Sequence, residues 1–333
     1  MADARVRTWL VWVVRLGLAL ALAVIVLGAY TRLVDAGLGC PDWPGCYGFL
    51  VVPDADHEIA AAEARFPHAP FEAHKAWPEM VHRYFASALG ALVLVILGLC
   101  FAARRTGAPV RLAVALAALI ALQGAFGAWT VTLQLWPQVV TAHLLGGFAT
   151  FALLWWLRLA LARPSGIPRR FGAHAALGLA FVIVQVALGG WTTSNYAALA
   201  CPDFPTCQTE WWPEMDFAKG FDVFQEVGPN YLGGFLDSDA RAAIHMTHRL
   251  GAVAVLLLVG SLASRMLRSV DGGARRLGAV VAVVLVTQLG LGIANVVLAL
   301  PLAVATAHNA VGAMVLLVLV SVNYRAFSRA MDR

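Results

Sequence analysis

Four histidines recur as two matched pairs along the sequence. His82 and His143 lie 61 residues apart, His248 and His308 lie 60 residues apart, and each stands near the start of a long apolar segment. Imidazoles that face each other across a helix bundle can occupy both axial positions of a haem iron. Because the same arrangement occurs twice, it predicts two bis-histidine haem sites. For any single histidine, a hydrogen bond to a neighbouring helix is the alternative.

Charged residues adjoin these histidines. Arg83 and Arg249 each follow a histidine directly and are candidates to bind haem propionates, with ordinary extension to the membrane interface as the alternative. Glu79 precedes His82 by three residues and shares its helical face, whereas the matched position in the second half is His245. We interpret this difference as a division of labour, in which Glu79 handles protons beside a reacting carbon. A glutamate that extends to the external surface is the alternative.

Two cysteine pairs stand in matching segments, CPDWPGC at residues 40–46 and CPDFPTC at residues 201–207. An oxidising compartment outside the cytoplasm permits disulfides, so we predict the bonds Cys40–Cys46 and Cys201–Cys207. Each bond closes a small loop and contributes roughly 2 kcal/mol in the chain-entropy model. The spacing does not match the CxxC redox motif.

In the polar loop between the first two apolar runs, His68 is expected to be solvated.

Membrane-spanning helices must position these residues. The chain has 333 residues, of which 60% are hydrophobic and 13% charged, whereas an ordinary soluble domain is about 25% charged. Apolar runs of about 20 residues are long enough to cross the hydrocarbon core. The sequence therefore predicts an all-α polytopic membrane protein. Its eight transmembrane helices are expected near residues 10–30, 78–103, 110–133, 140–162, 172–193, 243–265, 275–298 and 303–324.

The distribution of charge predicts the orientation in the membrane. Seventeen of the 24 basic residues are arginines at one set of helix ends, from Arg5 to Arg333, and 16 of the 19 acidic residues lie on the opposite side. By the positive-inside rule, both termini are cytoplasmic, and the cysteine loops and the histidines lie towards the periplasm. The net charge of +5 follows from this topology. It gives no reason to expect nucleic acid as a partner.

The sequence contains an internal repeat. Residues 27–46 match residues 188–207 at an offset of 161, and the histidine segments match at offsets of 165 and 166. We interpret the repeat as two tandem, pseudo-symmetric four-helix units, residues 1–165 and 166–333, related by an axis along the membrane normal. Small residues on the third and fourth helices of each unit are expected to make room for a flat macrocycle. They are Gly124, Gly127, Gly146, Gly147, Gly290, Gly292 and Gly312.

Together these motifs resemble the haem A synthase family, and in particular its proteobacterial and mitochondrial branch. The resemblance rests on the two cysteine loops, the EMVHR and HMTHR helix starts, the two TAH segments and the eight helices, and it covers nearly the whole chain. Members resemble two haem-binding four-helix bundles fused in tandem. They oxidise a ring methyl group of haem O to a formyl group, which gives haem A for terminal oxidases.

The resemblance implies a role for each candidate residue. His82 and His143 would ligate the iron of the substrate, haem O, in the N-terminal unit, with Glu79 as the catalytic residue. His248 and His308 would ligate the iron of a haem b cofactor that relays electrons in the C-terminal unit. The resemblance also implies a bacterial inner membrane, with a haem O synthase and a terminal oxidase assembly pathway as partners. The electron donor and a homo-oligomeric state stay open.

Three other classes of protein share some of these sequence features. A di-haem b-type membrane cytochrome that only transfers electrons explains the histidines and the arginines. It does not explain why Glu79 has no acidic counterpart, or why the cysteine loops are matched. A quinone-linked thiol oxidoreductase leaves the four histidines unexplained. A transporter agrees with parallel repeats, but the sequence shows no broken helix near the middle of the membrane.

Overall fold

The computed structural model describes residues 2–328 and places most of them in ten α-helices. In chain order the helices are α1 (Ala2–Leu33), α2 (Asp56–Arg65), α3 (Ala73–Ala102), α4 (Val110–Thr132), α5 (Pro137–Ala162), α6 (Gly172–Ser194), α7 (Phe217–Gly220), α8 (Ser238–Leu267), α9 (Gly272–Val297) and α10 (Leu302–Ser328). Short 3₁₀ turns at Arg104–Thr106 and Arg169–Phe171 follow α3 and precede α6. Within residues 2–328 the only β-type pairing is an isolated bridge in each cysteine loop.

Eight of these helices are long and apolar enough to cross a membrane: α1, α3, α4, α5, α6, α8, α9 and α10. The predicted all-α polytopic membrane architecture is therefore confirmed. Helices α3 and α8 begin several residues before their apolar runs, because polar first turns stay helical outside the hydrocarbon. At the start of α8 the Asp237 carboxylate accepts a hydrogen bond from the Ala240 N–H at 3.0 Å, which satisfies a free helix-end donor.

The prediction of orientation in the membrane requires the arginine-rich helix ends and the acidic loops to lie at opposite ends of the spanning helices. The acidic loops after α1 and after α6 carry the two cysteine pairs, and the arginine-rich ends lie at the other end of the spanning helices. Arg329 and Arg333, which belong to the predicted cytoplasmic set, lie outside the described residues. Which side faces the cytoplasm stays a prediction from the positive-inside rule.

Each half of the chain forms a ring of four spanning helices. In the first ring α1 contacts α3, α3 contacts α4, α4 contacts α5, and α5 contacts α1. The second ring repeats this order with α6, α8, α9 and α10. Helices α3 and α5 are therefore diagonal to each other, as are α8 and α10. Side chains on diagonal helices can meet at the centre of a ring.

The two rings share one continuous apolar core. Helix α5 contacts α6, and α10 contacts both α1 and α5. Fully buried residues from both rings, such as Leu154 and Leu319, belong to the same cluster. A polar bond also joins the rings, since Trp155 Nε1 donates to Ser321 Oγ at 2.7 Å. The rings thus stabilise each other, and the boundary between residues 165 and 166 stays a prediction about functional units.

Candidate cofactor sites

The structure brings His82 of α3 and His143 of α5 together at the centre of the first ring. The centroids of their imidazole rings are 6.5 Å apart, and the ring planes are at 88° to each other. Two metal–nitrogen bonds of about 2 Å each, plus the half-widths of two imidazoles, span roughly 6 Å. The observed separation therefore fits two axial ligands on one iron. The helices that carry the pair are diagonal, so the ligands approach from opposite sides.

Each of the four histidines packs against a glycine on a neighbouring helix. A Cβ atom added to Gly28 of α1 would lie 2.8 Å from His82 Cε1, and one added to Gly189 of α6 would lie 3.2 Å from His248 Cε1. The corresponding distances are 3.5 Å from Gly127 to His143 and 3.1 Å from Gly292 to His308. The four contacts form two repeat-related pairs. The repeat therefore preserves the glycines that pack against the imidazoles as well as the histidines themselves.

The predicted glycines divide into three groups. Gly127 and Gly292 pack against histidine rings, whereas an added Cβ on Gly124 or Gly290 would meet no atom of the described residues within 4 Å. The other three face glutamine side chains: Gly146 and Gly147 face Gln123, and Gly312 faces Gln288. The sequence analysis did not predict the glycines on α1 and α6 that pack against histidines, Gly28 and Gly189. The Leu-Gly dipeptide at residues 27–28 and 188–189, which both halves of the repeat share, could have indicated them.

Replacing Gly28 with alanine should displace the His82 ring, because a methyl group at 2.8 Å from Cε1 is closer than packed atoms allow. We expect at least a 10-fold loss of the haem O oxidation that the family resemblance implies, with normal membrane insertion. Product analysis of extracted haems would measure this loss. Gly90→Ala is the matched control, because a Cβ added there meets no atom within 4 Å. Equal activity of the two variants would contradict close packing of Gly28 against the His82 ring.

Several ring nitrogens at these sites are buried without a hydrogen-bond partner. Nδ1 of His82, His143 and His308 all have this property within the described residues. Buried polar atoms in native proteins nearly always have a partner, and an unpaired one calls for an explanation such as a metal or a ligand. Together with the glycines that pack against the imidazoles, the unpaired nitrogens show that these residues fit a bis-histidine haem. The assignment of each histidine to a haem stays a prediction.

Glu79 is buried at the start of α3, with 4% of its surface exposed. Its carboxylate forms an ion pair with Arg83, one helical turn further along, and accepts the Cys40 N–H at 2.9 Å. In the second half, His245 Nδ1 accepts the Cys201 N–H at 3.4 Å. The two residues thus make the same contact with the cysteine loops, but only Glu79 brings an acidic group.

The two arginines hold the cysteine loops against the histidine-bearing helices. Arg83 Nη1 donates to the carbonyl oxygens of Asp42 at 3.0 Å and of Gly45 at 2.6 Å. Arg249 donates to the carbonyl oxygens of Cys201, Asp203 and Thr206 at 2.8–2.9 Å. These contacts give each arginine a structural role next to its histidine. Binding of haem propionates by the same arginines stays a prediction.

Both predicted disulfides, Cys40–Cys46 and Cys201–Cys207, are present in the structure. Next to the first, Tyr47 is buried and its hydroxyl donates to the Pro70 carbonyl oxygen at 2.9 Å. Burial raises the pKa of Tyr47 to about 12, so the hydroxyl stays a neutral donor at physiological pH. The cysteine loop is thereby fixed above the Glu79 ion pair.

Three glutamines contact the histidine segments in different ways. Gln123 Nε2 donates to the backbone oxygen of His143 at 2.8 Å, which joins α4 to α5. Its repeat mate Gln288 lies 3.3 Å from a ring nitrogen, Nε2 of His308. Gln185, which sequence reasoning did not single out, lies 3.1 Å from Nδ1 of His248. Gln185 could have been noticed in the sequence as a single amide side chain inside an otherwise apolar run.

The fold and the sites define a class of protein, a polytopic membrane protein whose two helix rings carry paired histidines suited to haem. The COX15-CtaA family model, described as "Cytochrome oxidase assembly protein", matches residues 8–320. A protein of Shewanella oneidensis named "Heme A synthase" is 46% identical over 321 residues, which cover 95% of this chain and 96% of the relative. The chain belongs to the COX15-CtaA family.

More distant relatives also match along most of their length. Proteins named "Heme A synthase" from Methylobacterium sp. (strain 4-46) and Chelativorans sp. (strain BNC1) are 32% and 31% identical. Each alignment covers 93% of this chain, and 89% and 88% of the respective relatives. The similarity therefore extends over both helix rings and both cysteine loops.

Proposed function

We infer that this protein is a haem A synthase, an oxidoreductase that converts a ring methyl group of haem O to a formyl group. The observation that carries this inference is similarity along nearly the whole chain to relatives named "Heme A synthase". The buried His82–His143 pair beside the acidic Glu79 agrees with it, because it offers a site for the substrate. The alternative of a cytochrome that only transfers electrons lacks comparable support.

The division of labour between the rings is part of the proposal. His82 and His143 hold the iron of haem O, while His248 and His308 hold a resident haem b that supplies a one-electron relay when bound. Each hydroxylation replaces one C–H bond of the methyl group with a C–OH bond, a two-electron oxidation of the carbon, and gives first an alcohol and then a gem-diol. The gem-diol loses water to give the formyl group. The second ring would relay electrons between the substrate site and a redox partner outside this chain.

Residues of the first ring orient the methyl group and handle protons. The histidine pair fixes the plane of the macrocycle, and the glycines packed against the imidazoles fix the planes of the imidazoles. Glu79 is the proton-handling group, because it is the acidic residue buried at the external end of the same helix as His82. Arg83 keeps the carboxylate beside the cysteine loop, since it pairs with Glu79 and donates to two carbonyl oxygens of that loop.

The cellular setting follows from the substrate and the topology. The protein lies in the bacterial inner membrane with both termini in the cytoplasm and both haem sites towards the periplasm. A haem O synthase supplies the substrate, and the assembly pathway of a terminal oxidase consumes the product. Both molecules are apolar macrocycles, so exchange through the lipid bilayer or by direct transfer is required.

Expression in cells that make haem O but lack their own haem A synthase tests the function. Haems extracted from the membranes are identified by chromatography with mass detection. We expect haem A from the wild type and from His68→Ala, whose side chain is exposed in the first loop. Membranes that contain the protein with haem b bound, but no haem A or hydroxylated haem O, would instead support the electron-transfer cytochrome.

A further inference from the structure

The two rings differ in what contacts the first histidine of each pair. On α6, the Gln185 amide lies 3.1 Å from Nδ1 of His248 and donates to the His248 backbone oxygen at 2.9 Å. The repeat offset of 161 places Val24 of α1 at the equivalent position opposite His82. His82 Nδ1 has no hydrogen-bond partner within the described residues. One histidine is therefore held by a side chain, and its counterpart is not.

The space that the glutamine needs is also present in only one half. A Cβ atom added to Gly251 would collide with Gln185 Oε1. Gly251 is one turn beyond His248 on α8, and its repeat mate at an offset of 166 is Phe85. Gln185 and the space left by Gly251 thus occur together in the second helix ring. The equivalent positions in the first helix ring are Val24 and Phe85. Two coordinated differences indicate a specific arrangement rather than drift at one position.

The amide suits an iron-bound imidazole. A histidine that binds iron through one ring nitrogen carries a proton on the other and usually donates it to a fixed acceptor, which orients the ring and increases its basicity. Gln185 Oε1 is buried and has no hydrogen-bond partner within the described residues, although Nε2 of the same amide lies 3.1 Å from the ring nitrogen. For Oε1 to accept the Nδ1 proton, the amide must rotate about its last side-chain torsion and give up the Nε2 bond to the His248 backbone oxygen. The valine side chain has no acceptor to offer, and the contact of His82 with Val24 is to the backbone.

Building on the proposed function, we propose that Gln185 is the positioning residue that makes the His248 site a permanent haem site. Its hydrogen bond fixes the ring of His248 and keeps the resident haem bound during turnover. Val24 gives His82 no side-chain acceptor, so a haem on the first pair exchanges more readily. Retention in one ring and exchange in the other are what a resident cofactor and a substrate require.

Redox titration of purified full-length protein tests the proposal. Cells that make haem B but no haem O supply the protein, and the haem signal followed is the one that His248→Ala abolishes. Gln185→Leu removes the acceptor, so we expect a more positive midpoint potential and roughly 10- to 100-fold weaker haem retention. Gln185→Glu supplies a stronger acceptor and should shift the potential in the negative direction. Val24→Leu, at the repeat-related position, should leave this potential unchanged.

Gly251→Ala provides an independent variant, because its new methyl group displaces the Gln185 amide without changing it. It should shift the potential in the same direction as Gln185→Leu, and the two effects should not add in the double variant. Unchanged potentials in both variants, or shifts of Gln185→Leu and Gln185→Glu in the same direction, would overturn the proposal. Failure of the wild type to make haem A would refute the proposed function and leave this titration interpretable.

Discussion

His82→Ala should abolish haem A formation while the second ring keeps its haem b. The substitution removes one of two imidazoles whose centroids are 6.5 Å apart. Under the proposed assignment, His143 would then be the sole protein ligand of the substrate iron. We expect a loss well beyond the roughly 10- to 100-fold that removal of an outer hydrogen-bond partner of a metal ligand causes. Extracted haems, quantified per polypeptide, measure both the product and the retained cofactor.

The reciprocal variant makes this prediction specific. His248→Ala should lose the resident haem b and, as a consequence, turnover, whereas His68→Ala in the exposed loop should behave as the wild type. If His82→Ala lost the resident haem and His248→Ala kept it, the substrate would belong to the second ring. If His82→Ala made haem A at the wild-type rate, the pair on α3 and α5 would not be the substrate site.

Glu79→Gln should lower haem A formation by roughly 100- to 10 000-fold, the contribution of a positioned general acid or base. The amide keeps the size of the side chain and still accepts the Cys40 N–H that the carboxylate binds at 2.9 Å. What it loses is the negative charge and the proton-binding carboxylate. Haem O and its hydroxylated form should therefore accumulate, and haem chromatography of the membranes would show them.

The same substitution also removes the buried counter-ion of Arg83, so a structural effect must be separated from a chemical one. Breaking a buried ion pair can destabilise by about 3–5 kcal/mol, although the loop carbonyls still accept hydrogen bonds from this guanidinium. Arg83→Lys weakens the loop contacts and keeps the carboxylate, and His245→Gln is the matched change in the second ring. If Arg83→Lys lost as much activity as Glu79→Gln, holding the loop would be the main role of Glu79.

Much of the fold could be predicted because its signals are local in sequence. Runs of about 20 apolar residues predict spanning helices directly, since a helix in lipid must satisfy its own backbone hydrogen bonds. The repeat of His-Arg and of the cysteine loops fixed which segments correspond. Helix ends were less accurate, as at Ala73 and Ser238, because polar helical turns outside the membrane carry no hydropathy signal.

The composition, the repeat and the histidine spacing by themselves determined the membrane class and the eight helices, and they singled out the candidate haem ligands. Tertiary structure alone decided which groups meet. It turned the Glu79 carboxylate towards Cys40, it placed Gly28 against the His82 ring, and it gave His248 a glutamine that His82 lacks. Such contacts join positions far apart in the chain, and they depend on how neighbouring and diagonal helices pack. A hydropathy pattern reports only whether a side chain prefers lipid, so it cannot contain them.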